Sequence, residues 1–411
     1  MNSRGVRSMA LQVKRGLSSR YFRAIIVSGL ASLAPTIVTL ALARSGTLDP
    51  LGLFGAMYAV FLLVQQLMRD MFVNAFLAHK PSIVDQRLKA GVVSLAGLVV
   101  AGLLLLISMP MQSLHFAVLG ACLHGILLGS YFRTLDLSLG NGRSALMQEM
   151  AVFCSVLVAG IASVLYGTSG FSVVITWAVS YALVGYISSW KAKLRVVPRW
   201  EMTPQESRTG RGFGFQGLVG SGSVHVLTLL LTTVSTAVVG VFRVSSTLLG
   251  PANLISSALQ PILIGSLSDG NGPRTIAGGA AVDWPRAKVS AVVLPVVVSL
   301  VCLALLGVGS FWGALLFPGL WETASPIVAV MFWDVIIVAI GLVPQTIHRI
   351  TWASRPALLI SILSASIRIP AVLIGAVVFG AIGAAYGFLI VTVINTALLW
   401  LSCLRLIRNK I

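Results

Sequence analysis

Few residues in this 411-residue chain can do chemistry, and most of those are arginines and amides set inside apolar runs. Three guanidinium groups, Arg69, Arg243 and Arg368, stand in stretches that otherwise carry little charge. A guanidinium is planar, permanently charged and forked, so it can hold an anionic group through paired hydrogen bonds. Arg243 opens the longest polar stripe. Arg243, Ser246, Gly250, Asn253, Ser257 and Gln260 are spaced 3, 4, 3, 4 and 3, which is one face of a helix. That face reads as the wall of a water-filled cavity or as helix packing through small and polar residues. The presence of Arg, Asn and Gln on it favours the cavity.

A second group is Gln65, Gln66, Arg69, Asp70 and Asn74. Gln66, Asp70 and Asn74 run at i, i+4 and i+8, and Gln65 sits one turn from Arg69. Arg69 and Asp70 are sequence neighbours, about 100° apart on an α-helix, and are expected to need separate partners. The alternative for this group is snorkelling to the cytoplasmic face. A third pair is Asp334, 15 residues before Arg349, and Arg368, 13 residues after Arg355, which places the two at nearly equal depth. They read as an interhelical ion pair. The sharper reading makes Arg368 a substrate ligand and Asp334 its protonation-dependent counter-charge, with Asp70 a second candidate for coupling. His124 and His225 read as packing residues, and Glu149 as an interfacial group.

No metal or cofactor chemistry is called for. Cys122, Cys154, Cys302 and Cys403 lie in apolar runs without CxxC or CxxH spacing, so they read as small packing residues. There is no GxxxxGK[ST], HExxH or GxSxG motif and no acidic pair where a catalytic site would form, so no enzyme is expected.

The elements that must position these side chains follow from composition. Residues are 57% hydrophobic and 10% charged, against about 25% charged in a soluble domain. Mean hydropathy is +0.96. A soluble enzyme, a disordered chain and a secreted disulfide scaffold are thereby excluded, and an integral membrane protein remains. The net charge of +18 would point to nucleic acid in a soluble chain. Here the charges cluster between apolar runs, the pattern of topology signals, and no nucleic-acid partner is expected.

Charge-free intervals count the spans. Residues 24–43 make one span across a hydrocarbon core of roughly 30 Å. Residues 90–132 form a charge-free run that as one helix would be about 65 Å long, so it must turn, at Met109-Pro110-Met111-Gln112. Residues 150–190 turn at Gly167-Thr168-Ser169-Gly170, and 369–404 near Gly380. The full reading is all-α, with twelve transmembrane helices at 24–43, 50–78, 90–109, 113–134, 145–166, 170–190, 213–235, 238–267, 288–312, 325–347, 356–378 and 381–404. The first is read as retained: its apolar run ends at Arg44 without a small-x-small cleavage pattern. With both termini in the cytoplasm, 25 of the 29 Lys and Arg fall in inside segments, three lie within spans, and Arg44 alone is outside.

The polar stretch 191–211 divides the chain into a six-helix bundle at 1–190 and another at 212–411, joined by a cytoplasmic linker. The halves are faintly alike: Leu51-Gly52-Leu53-Phe54 opens the second span, and Val239-Gly240-Val241-Phe242 the eighth. Outside loops are short, which leaves no extracellular domain.

Twelve spans in two sixes, the basic linker and the segment Gly240-Val-Phe-Arg-Val-Ser-Ser-Thr-Leu-Leu-Gly-Pro-Ala-Asn-Leu-Ile resemble polysaccharide flippases of the O-antigen exporter type. These belong to the multidrug/oligosaccharidyl-lipid/polysaccharide exporter superfamily. The resemblance implies two bundles forming a V around a central cavity that opens alternately to each side. It implies a lipid-diphosphate-linked oligosaccharide as cargo, a cavity lined with cations (Arg69, Arg243, Arg368) and an inner-membrane location. It also implies membrane lipids and polysaccharide polymerase machinery as partners. The first span departs from the pattern, with Arg23 only at its edge. The first and seventh spans also lack the embedded acid usual in ion-coupled drug exporters of the superfamily. A drug or metabolite antiporter of the same fold is the second reading. A membrane-embedded glycan polymerase or acyltransferase is the third.

Overall fold

The computed structural model describes residues 23–24, 26–78, 83–138, 142–253, 263, 267–269, 281–351 and 354–408. These residues are almost entirely helical. Among the described residues ten helices are long and apolar enough to cross a membrane, and their outward surfaces are rich in Leu, Val, Ile and Phe. Large apolar side chains such as Leu106, Val292, Leu300 and Phe311 stay exposed because lipid, not water, is their solvent. The chain is a multi-pass membrane protein.

The turns fall where the charge-free runs place them. Gln112 takes a positive φ of 47° after Ser108 closes the third span. Gly167 ends the fifth in the left-handed region at φ 65°, and the Ser169 hydroxyl accepts from Phe171 N at 3.2 Å to start the sixth. The last helix, Pro356–Leu406, is 51 residues long. At Gly380 its backbone leaves the helix, φ 64° and ψ −148°. Gly375 and Gly383 then meet so closely that a Cβ on Gly383 would lie 2.3 Å from Gly375 O. This stretch is therefore two spans folded back on each other.

The chain forms two compact units. One groups Met1–Ala41 with Val64–Gly214, and the other groups Leu42–Leu63 with Phe215–Ile411. The second span is thus shared: its first part packs with the later spans and its remainder with the earlier ones.

In the first unit the fourth span, Leu114–Ser138, is the central helix, packed on Ala90–Ser108 and on Gly170–Lys191. Leu119, Leu123, Ile126, Tyr131 and Trp177 are fully buried there. Gly125, Gly129 and Gly185 let the fourth and sixth spans touch backbone to backbone: a Cβ on Gly185 would sit 2.1 Å from Gly125 O. His124 is a packing residue with both ring nitrogens bonded, Nε2 to Ser94 Oγ at 2.9 Å and Nδ1 to Tyr186 OH at 2.7 Å.

Glu149 corrects its interfacial reading. It is 1% exposed, and it accepts from Arg133 Nη1 at 2.8 Å and from Tyr181 OH at 2.7 Å. An acid this deep has to be paired, and partners from the fourth and sixth spans provide that.

The seventh span starts earlier than 213. It runs Pro204–Val234, with a π-helical turn at Leu218–Gly222. The cause is a capping box: Glu206 N donates to Thr203 Oγ1 at 3.2 Å, Thr203 N donates to Glu206 Oε2 at 2.9 Å, and Pro204 takes the first helical position.

In the second unit, Leu42–Leu63 packs on the eighth span, Thr236–Leu248, through a glycine crossing. A Cβ on Gly52 would lie 2.0 Å from Thr236 O, and one on Gly240 would lie 2.4 Å from Leu48 O. The glycine of each look-alike motif, Gly52 and Gly240, thus lies at this crossing. The Thr236 hydroxyl donates to the Asp49 carboxylate at the same crossing. The ninth and tenth spans, Trp284–Leu316 and Trp321–Ile350, build the remaining core around Val298, Cys302, Val335 and Ala339. The loop before the ninth span also carries a two-residue antiparallel ladder, Ser268–Asp269 with Ala281–Val282, which leaves the fold all-α.

Candidate functional site

In the first unit, the polar group of the second span is assembled as a ladder. Asp70 Oδ1 accepts from Asn74 Nδ2 at 3.0 Å, and Asp70 Oδ2 accepts from Gln66 Nε2 at 3.5 Å. Gln65 Nε2 donates to Ser130 Oγ of the fourth span at 3.1 Å. Arg69 does not need a separate partner from Asp70: its Nε stands 3.7 Å from Asp70 Oδ1. The reason is local. Arg69–Val73 is a π-helical turn, not α, and its wider winding brings neighbouring side chains closer in angle.

Gly210 and Gly214 press on that turn, and a Cβ on either would lie 2.1 Å or 2.2 Å from Met71 atoms. The widened turn is thus seated under the start of the seventh span. The Arg69 side chain remains 51% exposed, so the contact with Asp70 leaves about half of it open. π-turns concentrate at functional positions. Nothing in Arg-Asp-Met-Phe-Val marks one in the sequence.

In the second unit, Arg243 lies against two aromatic faces of the second span. Its Cζ is 5.0 Å from the Phe54 ring centroid and 4.4 Å from that of Tyr58. Two such cation–π contacts fix the position of the guanidinium against the second span. The helix that carries the stripe is interrupted within it. The helix ends at Leu248 and breaks at Leu249 before resuming over Gly250–Asn253. Pro251 lacks an N–H to continue the ladder and clashes with the preceding turn. Asn253 is exposed beyond the break, and Ser257 and Gln260 lie outside the described residues.

Asp334 and Arg368 sit in the tenth and eleventh spans within electrostatic reach of each other, with Thr392 of the twelfth beside Asp334. They do not form the direct ion pair that equal depth implies. Asp334 Oδ1 and Arg368 Nε are both buried without a hydrogen-bond partner among the described residues. One turn along each helix, Ser364 Oγ donates to Asn395 Oδ1 at 2.7 Å, so a polar layer continues between the eleventh and twelfth spans. Among the described residues no cluster of His, Cys, Asp and Glu is suited to a metal ion.

The same arrangement of helices is found in known exporters. The lipid II flippase MurJ, in its inward-closed conformation, matches with a TM-score of 0.69 at 12% identity over 95% of this chain and 87% of that chain. An inward-facing multidrug resistance MATE family transporter of the MOP superfamily matches with a TM-score of 0.66 at 11% identity, over 92% and 96%. The chain has the fold of the MOP superfamily. A MATE transporter of Vibrio cholerae matches at 15% identity and a TM-score of 0.57, over 96% and 98%. No protein-family model and no curated protein matches the sequence. At these identities the likeness is one of fold, and the side chains described above are this chain's own.

Proposed function

We propose that this protein is a flippase that moves a polyprenyl-diphosphate-linked oligosaccharide from the inner to the outer leaflet, for cell-surface polysaccharide export. In this reading the two six-helix bundles flanking 191–211 rock about a central cavity by alternating access, with both termini in the cytoplasm. Arg69, Arg243 and Arg368 contact the diphosphate or acidic sugars, and Gln65, Asn253 and Gln260 contact hydroxyls. Asp334 and Asp70 couple transport to a gradient. The observation that carries the reading is Arg368, inside a membrane span, whose Nε is buried without a hydrogen-bond partner among the described residues. A cation at that depth is costly unless an anion meets it, and Asp334, within electrostatic reach but leaving Arg368 Nε without an acceptor, meets it only in part, which leaves a place for a travelling anion. The MOP-superfamily fold, which MurJ shares, supports a lipid-linked cargo.

The test is deletion of the gene followed by measurement of lipid-linked oligosaccharide in each leaflet. Accumulation in the inner leaflet supports the flippase. Normal distribution, with new sensitivity to cationic drugs, supports the second reading, an ion-coupled antiporter. That reading rests on the MATE neighbours and on the two intramembrane acids, Asp70 and Asp334.

A further inference from the structure

The stretch between the sixth and seventh spans is built as a strap, not as a free tether. Arg195 N donates to Arg87 O at 3.1 Å, Arg199 N donates to Gly91 O at 3.1 Å, and Ser94 Oγ donates to Val196 O at 2.5 Å. Leu194 is buried, Trp200 meets Phe72 edge-on at 6.3 Å, and Lys89 reaches both the Glu206 carboxylate and Glu201 O. Every one of these contacts lies within the first unit.

What the strap turns outward is distinctive. Its two acids are occupied: Glu206 by Lys89, and Glu201 by Arg195 at 3.0 Å and Arg199 at 3.3 Å. Lys191, Lys193, Arg208 and Arg211 are exposed and have no ion-pair partner among the described residues. Beside them Trp190 is 78% exposed and Trp200 57%.

We infer that this strap is a binding face for anionic phospholipid headgroups of the leaflet it meets. Lys191, Lys193, Arg208 and Arg211 contact the phosphates, and Trp190 and Trp200 sit at the boundary between headgroup and acyl chain. Lys191 closes the sixth span, and Arg208 and Arg211 lie in the first two turns of the seventh, so these side chains stand near headgroup depth. Four unneutralised cations held by a pinned backbone complement an anionic surface. Exposed tryptophan beside them fits an interface with an apolar side, which a nucleic acid or an acidic soluble partner does not offer. The inference concerns a lipid that stays bound and is independent of the cargo.

The experiment uses the full-length protein in detergent, titrated with short-chain phosphatidylglycerol or phosphatidylcholine and read by native mass spectrometry. The expected result is a preference of at least about tenfold for phosphatidylglycerol, since each basic residue near an anionic surface contributes about fivefold. The K191Q/K193Q/R208Q/R211Q variant should bring the two lipids to within about twofold, while K191R/K193R keeps the preference. W190A should weaken both lipids alike. Should the fourfold variant elute or melt differently from the wild type, K191Q/K193Q is read in its place, with a partial loss expected. Equal binding of the two lipids by the wild type, an undiminished preference in the glutamine variants, or displacement of phosphatidylglycerol by millimolar inorganic phosphate overturns the inference.

Discussion

Arg243 is the sharpest place to test the proposed anionic cargo, because its geometry makes three substitutions unequal. The guanidinium lies over Tyr58 at 4.4 Å and Phe54 at 5.0 Å. Each contact contributes about 0.5–2 kcal/mol at partly desolvated sites, enough to hold the fork in one orientation. A charge-assisted hydrogen bond to a phosphate contributes about 1.5–3 kcal/mol, which is roughly 10- to 150-fold in affinity. Arg243→Gln should therefore lower transport of a fluorescent polyprenyl-diphosphate oligosaccharide by about 10- to 150-fold at sub-saturating cargo. Arg243→Lys keeps the charge but loses the fork and the flat stack, so it should fall between, at about tenfold. Tyr58→Leu leaves Arg243 intact and removes the nearer of its two platforms, about 1 kcal/mol or fivefold. The assay is proteoliposome flipping normalised to reconstituted protein, with melting temperature as the folding control. Wild-type transport by Arg243→Gln removes Arg243 from the cargo path. Wild-type transport by Arg243→Lys shows that the stacked, forked geometry is not used.

Asp334→Asn should fold and still bind cargo but lose the dependence of transport on a proton gradient; a variant that follows the gradient as the wild type does ends the coupling role. Gly52→Ala would place a methyl 2.0 Å from Thr236 O, and Gly240→Ala one 2.4 Å from Leu48 O. Each should destabilise by about 1–3 kcal/mol in thermal unfolding, and together by less than the sum, since one crossing absorbs both. Lys89→Met leaves the buried Glu206 carboxylate without its cation and should lower stability by about 3–5 kcal/mol. Lys89→Met with Glu206→Met should recover part of that loss, and a double variant weaker than Lys89→Met would contradict a buried-pair role.

The number and turning points of the spans are legible because hydrocarbon tolerates neither charge nor excess length. A charge-free run from 90 to 132 has to fold back, and it does so at the positive-φ Gln112; the last run turns at Gly380 for the same reason. The start of the seventh span was also encoded, as Thr203-Pro204-Gln205-Glu206. Reading polarity alone assigns those residues to a linker, whereas the capping box makes them a helix start. Other features have no local signal. The π-turn at Arg69–Val73 lies where Gly210 and Gly214, far away in sequence, press on Met71. The partners of Glu149 stand 16 and 32 residues away on different helices, so one acid near a helix start looks interfacial until the bundle closes. For the site, the stripe from Arg243 to Gln260 has the right period, but Pro251 lies within it and period counting does not break a helix where a proline does.

The embedded acids and cations are not balanced alike, and that asymmetry bears on cargo. Glu149 is met by Arg133 and Tyr181, and Asp70 by Gln66, Asn74 and Arg69, all within one unit. Glu149 in particular is finished internally and has no need of a visitor. Arg368 is different: Asp334 lowers its cost through electrostatics at a distance but leaves its Nε without an acceptor. A neutral cargo could offer that donor an oxygen but no counter-charge. An anionic one meets it while bound, and the incomplete Asp334–Arg368 contact then provides the partial compensation that lets the cargo leave.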